Sequence, residues 1–195
     1  MKKFIRIGVD LAKNYFQIHA LPSESGPAVT RKLRHMAAAD LHVYEASIVW
    51  TGNRGLGTSA YKNYDRDHVL RIAGKPHLPM SSDAAFLGDP ARYNPEELLV
   101  AAISSCHMLW YLHLCAEARV VVAAYEDRAS GRLIESTEGG GHFESVTLRP
   151  NVTIEAGETD AARRLHEGAH KKCFIANSVN FPVLFEPTIL PAPLG

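Results

Sequence analysis

The sequence predicts an α+β domain with antiparallel strands and two helices, one of them long and apolar on nearly every side. Three observations carry this. Residues 94–118, NPEELLVAAISSCHMLWYLHLCAEA, are apolar on nearly every side, as a fully packed helix must be. Four runs rich in β-branched and aromatic residues follow it. A second, strongly charged helical stretch then separates those runs from a closing strand, so strands and helices come in groups rather than in strict alternation.

HVYEASIVW (42–50) partly alternates and reads as a strand. TGNRGLGT supplies the glycines of a turn, and SAYKNYD and HVLRIAG read as further strands. KPHLPMSSDAAFLGDPARY (75–93), with its prolines and its Ser, Asp and Gly, reads as a loop. The long helix then has clear start signals. Asn94 can cap, Pro95 suits the first helical position, and Glu97 stands three residues after the cap as a capping-box partner. RVVVAAYED, RLIESTEG, HFESVTLRP and NVTIEAG look like a run of antiparallel strands. DAARRLHEGAHKK (160–172) is the second helix, with Leu165, Ala169 and Cys173 on one ridge at four-residue spacing. VNFPVLFEPTIL reads as the closing strand.

Composition excludes several function classes. At 195 residues the chain suits one well-buried domain, and 46% apolar with 22% charged residues is an ordinary globular balance. Lys plus Arg equal Asp plus Glu at 21 each, which gives no electrostatic reason to expect nucleic acid or an anionic membrane as partner. His107 and His113 interrupt the longest apolar stretch and argue against a membrane span. FIRIGVDLAKNYF breaks its apolar run with Arg6, Asp10 and Lys13, unlike a secretory signal. Three cysteines make no disulfide framework and fit a reducing cytoplasm, where cysteine pairs tend to be catalytic or redox-sensing.

Residues 1–35 stand apart, and Met36 opens the following segment like a fresh start. IGVDLAKNYFQIHAL resembles the opening of transposases with a RuvC-like nuclease domain, in which the aspartate matching Asp10 is a metal-binding carboxylate. Such a site needs several carboxylates converging from a much larger domain, and the resemblance stops by about Arg34. The expectation is a non-functional transposase-like remnant over 1–35, fused to a domain at 36–195.

Two features of the second domain bear on chemistry. Cys106 lies twelve residues past Asn94, where the field of the helix N-terminus has faded, so a thiolate there needs a cation from elsewhere. The plain alternative is a small core residue. Cys115 is about 900° further round the helix, on the opposite face. Cys173 ends the second helix, where the negative helix end favours a protonated thiol. The competing feature is His166-Glu167-Gly168-Ala169-His170, an HExxH pattern in which two histidines share a helical face and could hold zinc with Glu167 as general base. No third ligand follows in the extended pattern, and Arg163, Arg164, Lys171 and Lys172 make the surroundings look like a solvated face.

NPEELLVAAISSCHM and AHKKCFIANSVNFPV together resemble the paired signatures of the osmotically inducible protein C / organic hydroperoxide resistance (OsmC/Ohr) superfamily, over about residues 40–188. Glu96 stands ten residues before Cys106, and Cys173 follows 67 residues after it. The resemblance implies an OsmC-like fold and an intertwined homodimer. It also implies a cysteine-dependent thiol peroxidase that reduces small organic hydroperoxides without metal or prosthetic group. Cys106 would be peroxidatic and Cys173 resolving, with the disulfide returned to dithiol by a dihydrolipoamide-like reductant. The family's glutamate carries over to Glu96. Its arginine carries over to Arg54, where the hydroperoxide-resistance branch places it, with Arg92 second, because the other branch's position reads Asp-Ala-Ala-Phe here. Ten residues of helix rise about 15 Å, so if Glu96 and Cys106 serve one site, Glu96 comes from a second subunit or the helix breaks. Trp110 and Met108 near Cys106, with Phe181, suggest an apolar pocket suited to alkyl or lipid hydroperoxides, the equal alternative being that they are simply core. A catalytically silent member of the fold and a zinc hydrolase through HEGAH are the competing readings.

Overall fold

A computed structural model describes residues 4–12, 15–22, 29–34 and 41–193. The chain divides into two compact units, Met1–Glu45 and Ala46–Gly195. In the first, strands β1 (Phe4–Ala12), β2 (Tyr15–Pro22) and β3 (Val29–Arg34) pair antiparallel in sequence order. The side chains of this segment, Asp10 included, lie outside the described part.

The second unit opens with a three-stranded antiparallel sheet of β4 (Ser47–Trp50), β5 (His68–Arg71) and β6 (Leu78–Met80). The segment 59–65, expected as a strand, is a series of turns instead. Its aromatic residues serve a cation rather than a pleated face: the Arg66 guanidinium lies 4.2 Å from the ring centres of both Tyr61 and Tyr64. β6 falls inside the stretch expected as loop, where Leu78–Met80 completes the edge of this sheet.

Helix α1 (Pro95–Glu117) starts as its sequence dictates. The Asn94 side chain accepts from the Glu97 N–H at 2.8 Å and the Glu97 carboxylate accepts from the Asn94 N–H at 3.1 Å, closing a reciprocal capping box. Four strands follow, β7 (Val121–Asp127), β8 (Ser130–Glu135), β9 (Gly141–Leu148) and β10 (Pro150–Ala156). They do not form the simple consecutive run expected. β8 pairs with β9, while β7 skips both and pairs with β10, so neighbours in sequence fall in different sheets. Helix α2 (Thr159–Lys172) comes next. The closing stretch is two strands, β11 (Val183–Phe185) and β12 (Thr188–Pro191), added parallel to β9 and β10 respectively. Pro187 has no N–H to continue a ladder, and at that point the chain crosses from one sheet to the other.

The result is two sheets, β12-β10-β7 and β11-β9-β8, with α1 serving both. Ile103, near the start of α1, packs with Val146, Leu148 and Val183 on the second sheet. Tyr111 and Cys115, further along, pack with Val152, Ile154 and Ile189 on the first and with Ala162 and Ala169 of α2. α1 nevertheless buries only Ile103, His107, Tyr111 and Cys115 fully, and Leu109 remains 61% exposed. The helix is long and apolar enough to cross a membrane, with 22% of its apolar window covered within one chain.

Because α1 anchors both cores, its cap carries weight beyond one helix end. Asn94→Ala removes the acceptor for the Glu97 N–H at a site that is 7% exposed. The expected outcome is a loss of about 1 kcal/mol, read in urea unfolding as a lower midpoint with an unchanged slope.

Candidate active site

α1 and α2 bring two of the three cysteines together. Cys106 sits half-buried in the middle of α1, and Cys173 is fully buried where α2 ends. The Cys173 sulfur accepts the Ala176 N–H at 3.4 Å, and its S–H points toward the Ile103 carbonyl at 4.0 Å, one turn before Cys106 on α1. The two thiols adjoin, and Cys173 can donate to the Cys106 sulfur. Burial pushes the Cys173 thiol up to about 11, helped by Cys106 and opposed by the Ala176 N–H. The sequence anticipates a protonated thiol from the helix end; in the structure the leading cause favouring it is desolvation. Cys115 packs in the core below Tyr111, and burial raises its thiol pKa as well.

Beside the dithiol is a feature that the sequence reading did not assemble. His107 and His166 meet across the α1–α2 seam, Nε2 to Nδ1 at 3.0 Å, with rings 6° from parallel and exposures of 1% and 0%. Tyr111 stacks on His166 at 3.8 Å, and Phe185 of β11 closes the side of His107. Burial holds both imidazoles neutral. The His107 pKa falls to about 4, lowered further by His170 and raised by Asp127, and that of His166 falls to about 3, lowered further by His107 and Arg163. Among the described residues the outer nitrogens, His107 Nδ1 and His166 Nε2, have no hydrogen-bond partner, nor does the Tyr125 hydroxyl, and burial opposes the ionisation of Tyr111 and Tyr125. The HEGAH histidines are thus split. His166 is committed to His107, His170 lies against Phe185, and Glu167 is exposed on another face. Among the described residues no three His, Cys, Asp or Glu side chains converge as a metal ion requires. The solvated face expected around this motif is only half the helix, since Ala162, His166 and Ala169 are buried.

Glu96 lies apart from the dithiol. It lines a cleft of about 850 Å³ between α1, the loop before it and β8, together with Asp83, Glu97, Asp127 and Glu135. Among the described lining residues there are five carboxylates and no Lys or Arg. Ser104 donates to Asp127 at 2.5 Å, and Asp127 also accepts the Arg149 N–H at 2.6 Å. Met108 opens into this cleft rather than toward Cys106, and Phe181 packs on Phe143 in the core, 5.4 Å between rings. Only Trp110, of the three expected apolar lining residues, belongs to the same helix seam as the dithiol. There it meets Phe174 edge-on at 5.6 Å, under the Lys172 ammonium at 5.3 Å.

The two candidate arginines are engaged elsewhere. Arg54 projects from the turn after β4, a turn that needs Gly52 because a Cβ there would stand 2.0 Å from the Asp65 carbonyl. Its guanidinium donates to the Lys62 carbonyl and pairs with Asp65 at 3.6 Å, both half-exposed. Arg92 is clamped between Asp67 and Asp89, each at 3.2 Å. Within one chain, then, Cys106 and Cys173 come together, while Glu96 lines the acidic cleft and Arg54 and Arg92 are engaged by other carboxylates. Sequence reasoning passed over His107, Phe174 and Lys172. The available signal was the four-residue stripe Ile103, His107, Tyr111, Cys115, which places one imidazole among core residues of α1.

Comparison with known proteins was then decisive for the fold. The model of the family described as "OsmC-like protein" matches residues 88–187. An OsmC-like protein of unknown function from Vibrio cholerae is 31% identical, with TM-score 0.68 over 76% of this chain and all of that one, 100%. Two more distant structures share the fold. An organic hydroperoxide resistance protein from Elizabethkingia anophelis is 19% identical, with TM-score 0.58 over 79% of this chain and 99% of its own. An organic hydroperoxide resistance protein OsmC from Legionella pneumophila is 16% identical, with TM-score 0.55 over 77% and 98%. A search of curated proteins finds no match.

The neutral imidazole pair has a consequence for stability. Both histidines titrate near 6.5 when unfolded and at about 4 and about 3 when folded. Between those values the unfolded chain holds protons that the folded one does not. The stabilisation from the pair is therefore complete above pH 6.5 and is lost as pH falls toward 4 and 3. The limiting slope is about 3 kcal/mol per pH unit for two such groups. Chemical denaturation of the wild type and of His107→Leu/His166→Leu between pH 4 and 7 should show a clearly flatter profile in the variant.

Proposed function

The chain belongs to the OsmC-like protein family, and on that premise we propose that it is a thiol peroxidase of organic hydroperoxides. The observation that carries the reading is the adjoining pair Cys106 and Cys173, half-buried attacker beside a buried, protonated partner. The Cys106 thiolate attacks the terminal oxygen of ROOH. The O–O bond breaks, the alcohol ROH departs with a proton, and Cys106 is left as sulfenic acid. The Cys173 sulfur then displaces hydroxide, which leaves as water with the Cys173 proton, and the S–S bond forms. An external dithiol of the dihydrolipoamide type reduces that bond by thiol–disulfide exchange and restores both thiols. The cycle needs no metal or prosthetic group, and it belongs in a reducing compartment such as the cytoplasm. Residues 1–35, as a transposase-like remnant, take no part in it.

One chain supplies the dithiol and a second copy supplies the rest. Glu96 is about 15 Å along α1 from Cys106 in its own chain, and the exposed apolar face around Leu109 is what a second α1 would cover. We assign the product of that pairing as a homodimer with two composite sites, each using the Cys106 of one subunit and the Glu96 of the other. The charged partner of the thiolate is Arg54 rather than Arg92. Its one carboxylate contact is long and exposed, and so easily exchanged, whereas Arg92 is fixed by two carboxylates.

Consumption of cumene hydroperoxide with dihydrolipoamide as reductant tests the reading. Turnover should fall to background in Cys106→Ser, and Cys173→Ser should stop after one equivalent of peroxide with a trappable sulfenic acid. Cys106→Ser, inactive alone, and Glu96→Gln, weak alone, should regain activity when their subunits are mixed, because one of the two sites is then intact. Equal turnover in wild type and Cys106→Ser would end the proposal, and an inert wild type would leave a catalytically silent member of the fold. Full activity in a monomer would remove the composite site.

A further inference from the structure

The buried imidazole pair is foreign to the peroxide chemistry just described, and its place in the fold gives it work of another kind. Among the described residues, His107 to His166 is the one side-chain to side-chain hydrogen bond between the α1 and α2 spans themselves, the thiol contact of Cys173 with Cys106 lying just past the end of α2. Its neighbours on the seam are Tyr111, Leu114, Ala162 and Ala169, which make no directional demand on how the helices slide past each other. Apolar contacts of this kind tolerate a slip of one residue, whereas two buried imidazoles do not, because a slip leaves each of them desolvated and without a partner. Among the described residues their outer nitrogens are unpartnered, so the inner bond is the one that the burial permits.

The same register decides whether the cysteines meet. Cys106 directly precedes His107 on α1, and Cys173 lies two turns beyond His166, at the end of α2. Cys173 faces Ile103 where His166 faces His107 and Tyr111, so travelling down one helix corresponds to travelling back along the other. A disulfide tolerates only a narrow range of Cβ separation, about 3.5–4.5 Å, and one residue of slip moves a helix by about 1.5 Å. We propose that His107 and His166 are positioning residues, whose mutual hydrogen bond sets the α1–α2 register at which the Cys173 sulfur reaches Cys106. The inference rests on the peroxidase reading only for the sulfenic step; register and disulfide formation stand without it.

The test separates disulfide formation from peroxide attack. The disulfide equilibrium of the full chain is measured against oxidised dithiothreitol, and after one equivalent of cumene hydroperoxide the rate of disulfide formation is followed by loss of the trappable sulfenic acid. In His107→Leu/His166→Leu, which keeps the seam filled, the equilibrium constant and the resolving rate should each drop about tenfold or more. The first oxidation of Cys106 should stay within about twofold, which a general loss of structure would not allow. A second pair of variants keeps polarity and changes reach. His107→Gln still spans to His166 and should recover most of the disulfide equilibrium, while the shorter His107→Asn should not, and this comparison decides the matter if the double variant does not fold. Disulfide equilibria within about twofold of wild type in the folded double variant, or equal for Gln and Asn, overturn the proposal. A wild type that forms the disulfide but consumes no hydroperoxide sinks the peroxidase reading and leaves the register device standing.

Discussion

The structure depends on one helix being shared by two cores. α1 buries Ile103, His107, Tyr111 and Cys115, one residue in every four. At about 100° per residue a four-residue step overshoots a full turn by about 40°, so the buried stripe winds round the helix as it advances. Its first residue meets the β11-β9-β8 sheet and its last two meet the β12-β10-β7 sheet and α2. That slow rotation is why a single helix can hold together sheets that have no ladder between them, and why β11 and β12 must part at Pro187 to reach one sheet each. His107 falls where the stripe passes from one core to the other.

The cost of putting polar groups at that crossover shapes the chemistry beside it. A neutral imidazole pair can be buried because each ring satisfies one nitrogen of the other. The same dry seam keeps Cys173 a thiol, since a thiolate there would lose more in hydration than the backbone N–H groups of Ala176 and Ile175 return. Cys106 projects from the stripe's edge and is only half-buried, so it remains open to a ligand. The two sulfurs therefore differ by environment rather than by sequence context. That asymmetry is what distinguishes an attacking from a resolving cysteine in the proposed cycle.

Both helices were legible in the sequence because their signals are local. Asn94, Pro95 and Glu97 announce α1 within four residues, and the structure forms the capping box they specify. The ridge of Leu165, Ala169 and Cys173 likewise located the inner side of α2. Strand partnership was not legible, because nothing in RVVVAAYED or RLIESTEG says that β7 will skip its neighbour for β10. That choice belongs to the helix both sheets pack on. The aromatic stretch before β5 misled for a related reason: Tyr61 and Tyr64 pack on Arg66, a partner only two to five residues away, and a cation–π contact leaves no period to detect. HEGAH shows the remaining limit. Its spacing is that of a zinc helix, but which nitrogen faces what was decided by His107, a residue 59 positions away. The family signature could pair Cys106 with Cys173 only by resemblance, since their approach is a tertiary event.

The geometry of α1 also constrains any account of Glu96. A straight helix cannot fold its own first turn onto its middle, and the capping box makes that first turn the best-fixed part of it. Glu96 instead opens into a cleft with Asp83, Glu97, Asp127 and Glu135 around it. Like charges lining one cleft repel, and its described walls offer no Lys or Arg to offset them. In the proposed dimer a complementary charge arrives from outside this set of walls, and the guanidinium of Arg54, half-exposed with a long contact to Asp65, is the one assigned to the site. In the proposed dimer the uncovered face of α1 finds a second α1, and the displaced glutamate finds the cysteine that its own chain holds out of reach. On this reading, what looks incomplete in the single chain, an attacking thiol without its cation and an acidic cleft without a base, is the same deficit counted twice.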